Sequence, residues 1–310
     1  DLGLDLALFK NRLNFVLDWY RTTTKDVLYQ KKLPMAVGGY GTGGLSIWAN
    51  VGETRNTGWE VAITSRNIIK KDFTWTTTLN WSTNKEEVVK TTSDGPLAFG
   101  DYYLIPGEAI KTFYGYKYAG IWGTAEADEA AKYGQKPGQV HIAENGEANY
   151  KLSTDDYYVL GQATPKWAAS MQNQFTYKNF DLSVLMTMRW GQTIHYGLTG
   201  WYRGDGLNAT PVICDYWTVD NQSARYPMPN ANDGNPQYQD WANFFDGSYF
   251  KIKTISFGYT LPKNLLKKVH LENVRFYFTA NNPFVFAKCD YLKNYDPEKG
   301  GDDDSTPMSK

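Results

Sequence analysis

The 310-residue sequence predicts an all-β protein, an antiparallel transmembrane β-barrel with short turns at one end and long loops at the other. Three observations carry this. Segments of about ten residues alternate apolar and polar side chains, the length of a tilted bilayer crossing rather than of a typical strand of about five to six. The connections between them alternate strictly between short and long. Aromatic residues are abundant, with 23 Tyr and 11 Trp, and amphipathic rings collect at membrane–water interfaces. A mean hydropathy of −0.53 is compatible with this, because each membrane strand averages an apolar face with a polar one. No apolar run reaches the ~18–20 residues that a membrane helix needs.

The elements follow in order. Leu2, Leu4, Leu6 and Leu8 share a face, as do Leu13, Phe15, Leu17 and Trp19, and the two strands turn at residues 10–12. Trp59, Val61 and Ile63 alternate with Glu60, Ala62 and Thr64, and the polar stretch RNIIKKD leads to FTWTTTLNW. There Phe73, Trp75, Thr77, Leu79 and Trp81 oppose Thr74, Thr76, Thr78 and Asn80. WAASMQNQFTYK and FDLSVLMTMRW are joined by little more than Asn179, and SYFKIKTISFGYTLP and NVRFYFTANNPF by the mostly basic KNLLKKVHLE. This makes eight strands. A β-sandwich also alternates, but its apolar face is the inner one and its outer face is not banded with Trp and Tyr.

With residues 10–12 turning in the periplasm, 23–53, 87–165, 191–247 and 284 onward lie outside, and 67–72, 179 and 262–272 inside. The strand-like TFYGYKYAGIW keeps this parity as an external excursion or by pairing with another strand inside 87–165; the excursion is favoured. The acidic GGDDDSTPMSK ends outside with no returning strand. An open sheet edge in lipid leaves backbone groups unpaired at several kcal/mol each. The chain therefore reads as part of a larger barrel, beginning mid-strand and without a signal peptide in residues 1–30.

Net charge is −1, so no basic field attracts nucleic acid. An apolar content of 42% excludes disorder as the main state. The three histidines, His141, His195 and His270, sit in no HExxH, GxSxG or spaced Cys/His pattern. Neither an enzyme nor a cofactor is expected. MAVGGYGTGGLSIW is glycine-rich but lacks a phosphate-loop pattern. Cys214 and Cys289 both fall in loops, where a disulfide is one option and two free thiols the other.

Six segments, LGLDLALFKNRLNFVLDWYRTTTKDVL, NVGETRNTGWEVAI, TFYGYKYAGIW, YKNFDLSVLMTMRWGQTI, YFKIKTISFGYTLPKNLL and VRFYFTANNPFVF, occur in this order across nearly the whole chain. Together they resemble the SusC/RagA class of TonB-dependent outer-membrane transporters. The resemblance implies the C-terminal portion, over residues 1–310, of a 22-stranded barrel in the bacterial outer membrane. The N-terminal plug, the TonB-contacting segment and the last strand would lie outside this chain. It also implies a SusD-like surface lipoprotein as a lid, and import of glycans or oligosaccharides ahead of peptides. The family often carries an acidic run resembling DxNGDGxID before YKNFDLS. Here the matching stretch keeps Glu144, Asn145 and Glu147, while Ile142, Ala143 and Ala148 break the oxygen spacing of a Ca²⁺ loop. No metal is expected; those three are the calcium candidates.

For substrate or lid contact the candidates are Trp201, Tyr202, Arg203, Asp205, Trp217, Arg225 and Trp241, because flat rings beside hydrogen-bonding groups suit sugar faces and peptides. The competing reading is that these rings pack the loop on itself. Alternation places Asp18, Glu60, Asn80, Gln172, Gln174 and Arg189 toward the lumen, as ligand contacts or simply as hydration of a plugged interior. A passive porin and a soluble carbohydrate-binding β protein are the rival classes.

Overall fold

The computed structural model describes residues 1–32, 46–50, 52–92, 95–196, 215–230, 237–266, 271–293 and 295–299. The chain divides into two compact units. The first comprises Asp1–Ile110, Pro165–Trp190 and Tyr249–Phe286. Its core element is an eight-stranded sheet of β1 (Leu2–Leu8), β2 (Leu13–Thr24), β3 (Gly52–Ile69), β4 (Phe73–Thr91), β5 (Trp167–Tyr177), β6 (Phe180–Trp190), β7 (Tyr249–Thr260) and β8 (Arg275–Ala287), adjacent in chain order. These are the eight segments read from alternation.

The register makes the two faces explicit. One row of directly paired residues runs Leu4, Leu17, Val61, Trp81, Ala169, Met188, Phe250 across seven strands. The next row, on the opposite face, runs Gly3, Asp18, Glu60, Ser82, Ala168, Arg189, Tyr249. Successive residues of a strand point to opposite sides, so this pairing fixes an apolar and a polar face across these seven strands. The apolar face is not covered within the unit: Leu2 is 71% exposed, Trp59 45% and Phe257 45%. An apolar surface of that extent is stable in lipid rather than in water.

Aromatic pairs border that face at both ends. At one end Trp19 and Trp59 lie 6.4 Å apart, Trp167 stacks on Trp190 at 6.1 Å, and Phe250 on Phe286 at 5.9 Å. At the other, Trp75 stacks on Phe175 at 5.6 Å and Phe180 meets Phe257 and Tyr259. Trp167 and Phe175 are eight residues apart on β5, about 27 Å along a strand and roughly 20 Å across a membrane at a tilt of about 40°. That is close to the ~25 Å apolar band of such barrels.

Short turns close the Phe175 end. Phe9, Lys10 and Asn11 are all left-handed, at φ 54, 58 and 63, so the first turn spans one residue more than alternation implies. Arg12 donates side-chain hydrogen bonds to the Arg66 and Asn67 carbonyls, and Arg66 N donates to Arg12 O at 2.8 Å. Lys178 N donates to Asp72 O at 2.8 Å, and Thr260 N to Asn179 O at 2.9 Å. Neighbouring turns are thus tied to one another. The basic connection after β7 forms a short helix, Lys263–Leu266, and His270 lies outside the described residues.

Two features depart from the sequence reading. Strands β3 and β4 run 18 and 19 residues, well past the Trp19–Trp59 level, because paired backbone and Thr and Val side chains sustain a strand where no apolar face is required. Gly58 is needed here, since a Cβ would collide with the Thr83 carbonyl and the Tyr20 ring. The 23–53 connection also contains a hairpin, Leu28–Lys32 with Ser46–Asn50. In it Tyr29 donates its hydroxyl to Ala98 O and packs on Phe99 at 5.6 Å.

The second unit comprises Lys111–Thr164, Gly191–Ser248 and Ala287–Lys310, segments drawn from the three long connections after β4, β6 and β8. Its central strand, Thr112–Ile121, is the TFYGYKYAGIW segment, and it pairs with Val140–Ala143 and Tyr157–Gln162. The segment is thus an excursion outside the eight-stranded sheet, with strand partners from the same connection. One core cluster joins Ile121, Val140, Ile142, Trp217 and Ala224; a second joins Ile194, Tyr196, Phe245, Leu292 and Tyr295. Burial of these side chains contributes roughly 1.5–3 kcal/mol for each large one. Cys289 packs against the second cluster; Cys214 lies outside the described residues.

Candidate functional site

On the first unit, the residues assigned to the lumen occupy one face. Asp18 and Glu60 are direct cross-strand partners, Asn80 faces Ser170, Gln172 faces Thr78, Gln174 faces Thr76, and Arg189 faces Ala168. Counting along the register puts all six on the Ser82 side of the sheet. The wall they belong to is rich in hydroxyls and amides. Asn80 Nδ2 donates to Ser170 Oγ at 3.4 Å, Gln172 Nε2 to Ser183 Oγ at 3.1 Å, and Thr279 Oγ1 to Ser256 Oγ at 3.3 Å. Near the short-turn end, Arg275 forks onto Asp181, with Nε at 3.1 Å and Nη2 at 2.5 Å.

In the second unit, Trp217, Arg225 and Trp241 are described; Trp201, Tyr202, Arg203 and Asp205 lie outside the described residues. Trp217 is 3% exposed and belongs to the first core cluster. Arg225 acts as a bolt. Its guanidinium lies over the rings of Phe245 (4.4 Å), Tyr118 (5.1 Å) and Tyr291 (5.3 Å). It also donates to the carbonyls of Ala242 at 2.8 Å and Phe244 at 3.1 Å. Asp215 completes the hub, accepting from Arg225 N at 3.1 Å, Tyr291 Oη at 2.6 Å and Asn221 Nδ2 at 3.1 Å. Burial alone would raise the Asp215 carboxyl, but the hydrogen bonds and the nearby Arg225 charge outweigh it and hold it below the ordinary carboxylate value. Burial pushes the Tyr118 hydroxyl up to about 12, partly opposed by Arg225.

Trp241 stands in a different setting. It stacks on Phe244 at 5.8 Å and meets Tyr116 edge-on at 5.6 Å. Tyr116 in turn contacts Tyr157 at 4.8 Å and Tyr238 at 5.4 Å, and Tyr114 contacts Tyr157 at 5.4 Å. These six rings are half-buried. Gly115 makes the arrangement possible, because a Cβ there would overlap the Trp241 ring. Tyr238 holds a left-handed backbone at φ 64, a conformation costing about 1–3 kcal/mol for a non-glycine residue. Tyr114, Tyr116 and Tyr157 were not among the sequence candidates. The signal for Tyr114 and Tyr116 lies in the alternate tyrosines of TFYGYKY, which place Tyr114, Tyr116 and Tyr118 on one strand face. Rings with partly open faces can stack on sugar CH groups or on apolar and amide parts of a peptide.

Two of the three calcium candidates are engaged otherwise. Glu144 Oε2 accepts from Tyr133 Oη at 3.2 Å and Asn149 N at 3.0 Å; Asn145 N donates to Asp156 Oδ1 at 3.1 Å, and its amide reaches the Tyr157 carbonyl at 3.3 Å. Glu147 is exposed. Among the described residues no group of three or more His, Cys, Asp or Glu is placed to hold a metal. His141 stacks on Trp122 at 3.6 Å and His195 on Phe244 at 4.5 Å.

A two-faced antiparallel sheet with aromatic borders, short turns at one end and bulky connections at the other defines an outer-membrane β-barrel segment. No family model matches the chain. It is 34% identical over 323 aligned residues to "TonB-dependent receptor P3" of Formosa agariphila, covering all of this chain and 31% of that protein. It is 26% identical to "TonB-dependent receptor SusC" of Bacteroides thetaiotaomicron, covering 99% of this chain and 30% of that protein. Among solved structures, the RagAB peptide transporter matches with a TM-score of 0.74 at 23% identity, over 96% of this chain and 32% of the other. The chain spans about a third of the length of the curated relatives it matches. The chain is thus similar in sequence to TonB-dependent receptors, SusC among them, and its fold is that of a segment of their outer-membrane barrel.

Proposed function

We propose that the parent protein imports oligomeric nutrients across the outer membrane by TonB-coupled transport, glycans ahead of peptides, without covalent chemistry. This chain is the C-terminal portion of its barrel domain, and the plug and the TonB-contacting segment belong to other parts of the parent. A SusD-like lipoprotein covers the loop side. The observation that carries the reading is the continuous pairing that gives seven of the eight strands one apolar and one polar face, in a chain 34% identical to a TonB-dependent receptor. Asp18, Glu60, Asn80, Gln172, Gln174 and Arg189 face the lumen and keep it wet. Trp201, Tyr202, Arg203, Asp205 and Trp241 contact cargo or lid, while Trp217 and Arg225 brace the loop unit that presents them. The hydroxyl- and amide-rich wall suits neutral glycans. Peptide import is the second reading, favoured by the structural likeness to RagAB, which is a peptide transporter.

Uptake of labelled oligosaccharides and oligopeptides by cells with and without the parent gene, each with and without a protonophore, tests the proposal. Loss of uptake of one class on deletion, and its block by the protonophore, is the expected result. Full uptake of every oligomer in the deletion strain, or uptake indifferent to the protonophore, would overturn it.

A further inference from the structure

The apolar face of the sheet does not end at the Trp19–Trp59 level. Two residues further along each strand on that same face, the register aligns Arg21, Thr57 and Lys85, and the row beyond aligns Thr23, Arg55 and Glu87. Arg21 and Lys85 are exposed; Arg55 is half-buried, and its Nε is enclosed by protein without a hydrogen-bond partner. The single carboxylate on these two rows, Glu87, stands 3.8 Å from Lys85 Nζ, with the lysine side chain 75% exposed. Such an exposed pair contributes at most about 1 kcal/mol, so two exposed cations and the half-buried Arg55 share these rows with one weakly engaged acid. Glu53 and Lys90, further along the strands, pair with each other at 3.7 Å.

The position matters as much as the charge. The tryptophans mark the membrane–water interface, and two residues more is about 7 Å along a strand, roughly 5 Å outward at the tilt of such barrels. Cations at that height, on the side turned to lipid, meet the phosphate layer and neither the lumen nor bulk solvent. By the turn–loop asymmetry this is the outer leaflet. We propose that Arg21, Arg55 and Lys85 form a binding site for the phosphate of an outer-leaflet glycolipid, seated above the Trp19–Trp59 pair whose rings border its acyl chains. Guanidinium groups fork onto phosphate oxygens, and the lysine adds a point charge. Thr57, between Arg21 and Lys85 in the row, adds a hydroxyl donor.

The test uses the full parent protein in dodecyl maltoside. Thermal unfolding is followed with monophosphoryl lipid A, with the same lipid stripped of phosphate, and with inorganic phosphate alone. Native mass spectrometry counts the lipid retained. The expected result is stabilisation and retention by the phosphorylated lipid only. A basic residue near an anionic surface strengthens association by roughly fivefold, so Arg21→Gln with Lys85→Gln weakens retention about 25-fold. Lys71→Gln, at the short-turn end of the sheet, leaves it unchanged. Equal stabilisation by the phosphate-free lipid, an equal shift with inorganic phosphate, or undiminished retention by the double variant would overturn the site. If the double variant fails to fold, the comparison of the three ligands on the unaltered protein still decides.

Discussion

Thr77 donates a 2.7 Å hydrogen bond from its hydroxyl to Asn173 Oδ1, directly across the β4–β5 pair and on the apolar face of the sheet. The same oxygen accepts from Trp75 Nε1 at 3.1 Å; Asn67 Nδ2 donates to Thr77 Oγ1 at 2.8 Å, and Ser65 Oγ to Asn67 Oδ1 at 2.8 Å. A polar side chain facing lipid must find its partners within the protein, and these five do. Asn173→Leu strands two donors and destabilises the barrel by about 1–3 kcal/mol. Combining it with Thr77→Val costs less than the two single changes added, because the pair is coupled. The temperature at which the heat-modifiable electrophoretic band unfolds reads both effects, and strict additivity would deny the coupling.

On the opposite face, Gly258 leaves room for the Asp181–Arg275 pair. A Cβ at 258 would overlap both Arg275 and Asp181 Oδ1. Gly258→Val is therefore expected to break the fork and lower barrel stability by more than Asp181→Asn does. The ion pair itself is more than a third exposed and contributes at most about 1 kcal/mol. Urea unfolding in detergent ranks the two variants, and the reverse order would show that the glycine is dispensable.

Arg225 holds the loop unit together through carbonyls and rings that lysine cannot span in the same geometry. Arg225→Lys is predicted to loosen the second unit by about 1.5–3 kcal/mol, the range for hydrogen bonds to a charged group, while leaving the barrel folded. Limited proteolysis should cut faster within 215–248 with an unchanged heat-modifiable shift.

Acid should act on the same hub. Hydrogen bonds and charge depress the carboxyls of Asp215 and Asp246 in spite of burial. Their contribution is thus fully present above the ordinary carboxylate pKa and is lost as pH falls through the lower folded values. Amide protection around Tyr291, taken relative to the intrinsic exchange rate at each pH, is expected to fall on acidification below about pH 4. In Asp215→Asn protection starts lower at neutral pH and changes less on acidification. Identical pH profiles for the two proteins would remove Asp215 from the account.

Much of this architecture is legible from alternation, because lipid on one side and polar contents on the other force a period of two on every membrane strand. Leu2 to Leu8, the Phe73–Trp81 face and the Phe180–Trp190 face stand where the pattern puts them. Beyond the aromatic border that constraint disappears, which is why the extension of β3 to Gly52 and of β4 to Thr91 carries no periodic signal. The hairpin Leu28–Lys32 with Ser46–Asn50 was hidden for the same reason. The loop unit was less legible still. Its clusters join residues as distant as Ile121 and Trp217, or Ile194 and Tyr295, and local composition marks such aromatics as sticky without saying whether they hold each other or a ligand. Arg225 is the clearest instance: by residue type it suits substrate contact, and in the fold its Nε and Nη2 donate to the carbonyls of Ala242 and Phe244.

In the proposed importer this segment is part of a barrel that carries a lipoprotein lid and a bound cargo. Native mass spectrometry of the parent purified from outer membranes in mild detergent tests it most directly. The account predicts a polypeptide about three times this chain's length, together with a surface lipoprotein and a bound oligosaccharide or oligopeptide. A partner-free barrel that carries no cargo and conducts ions at rest would contradict it.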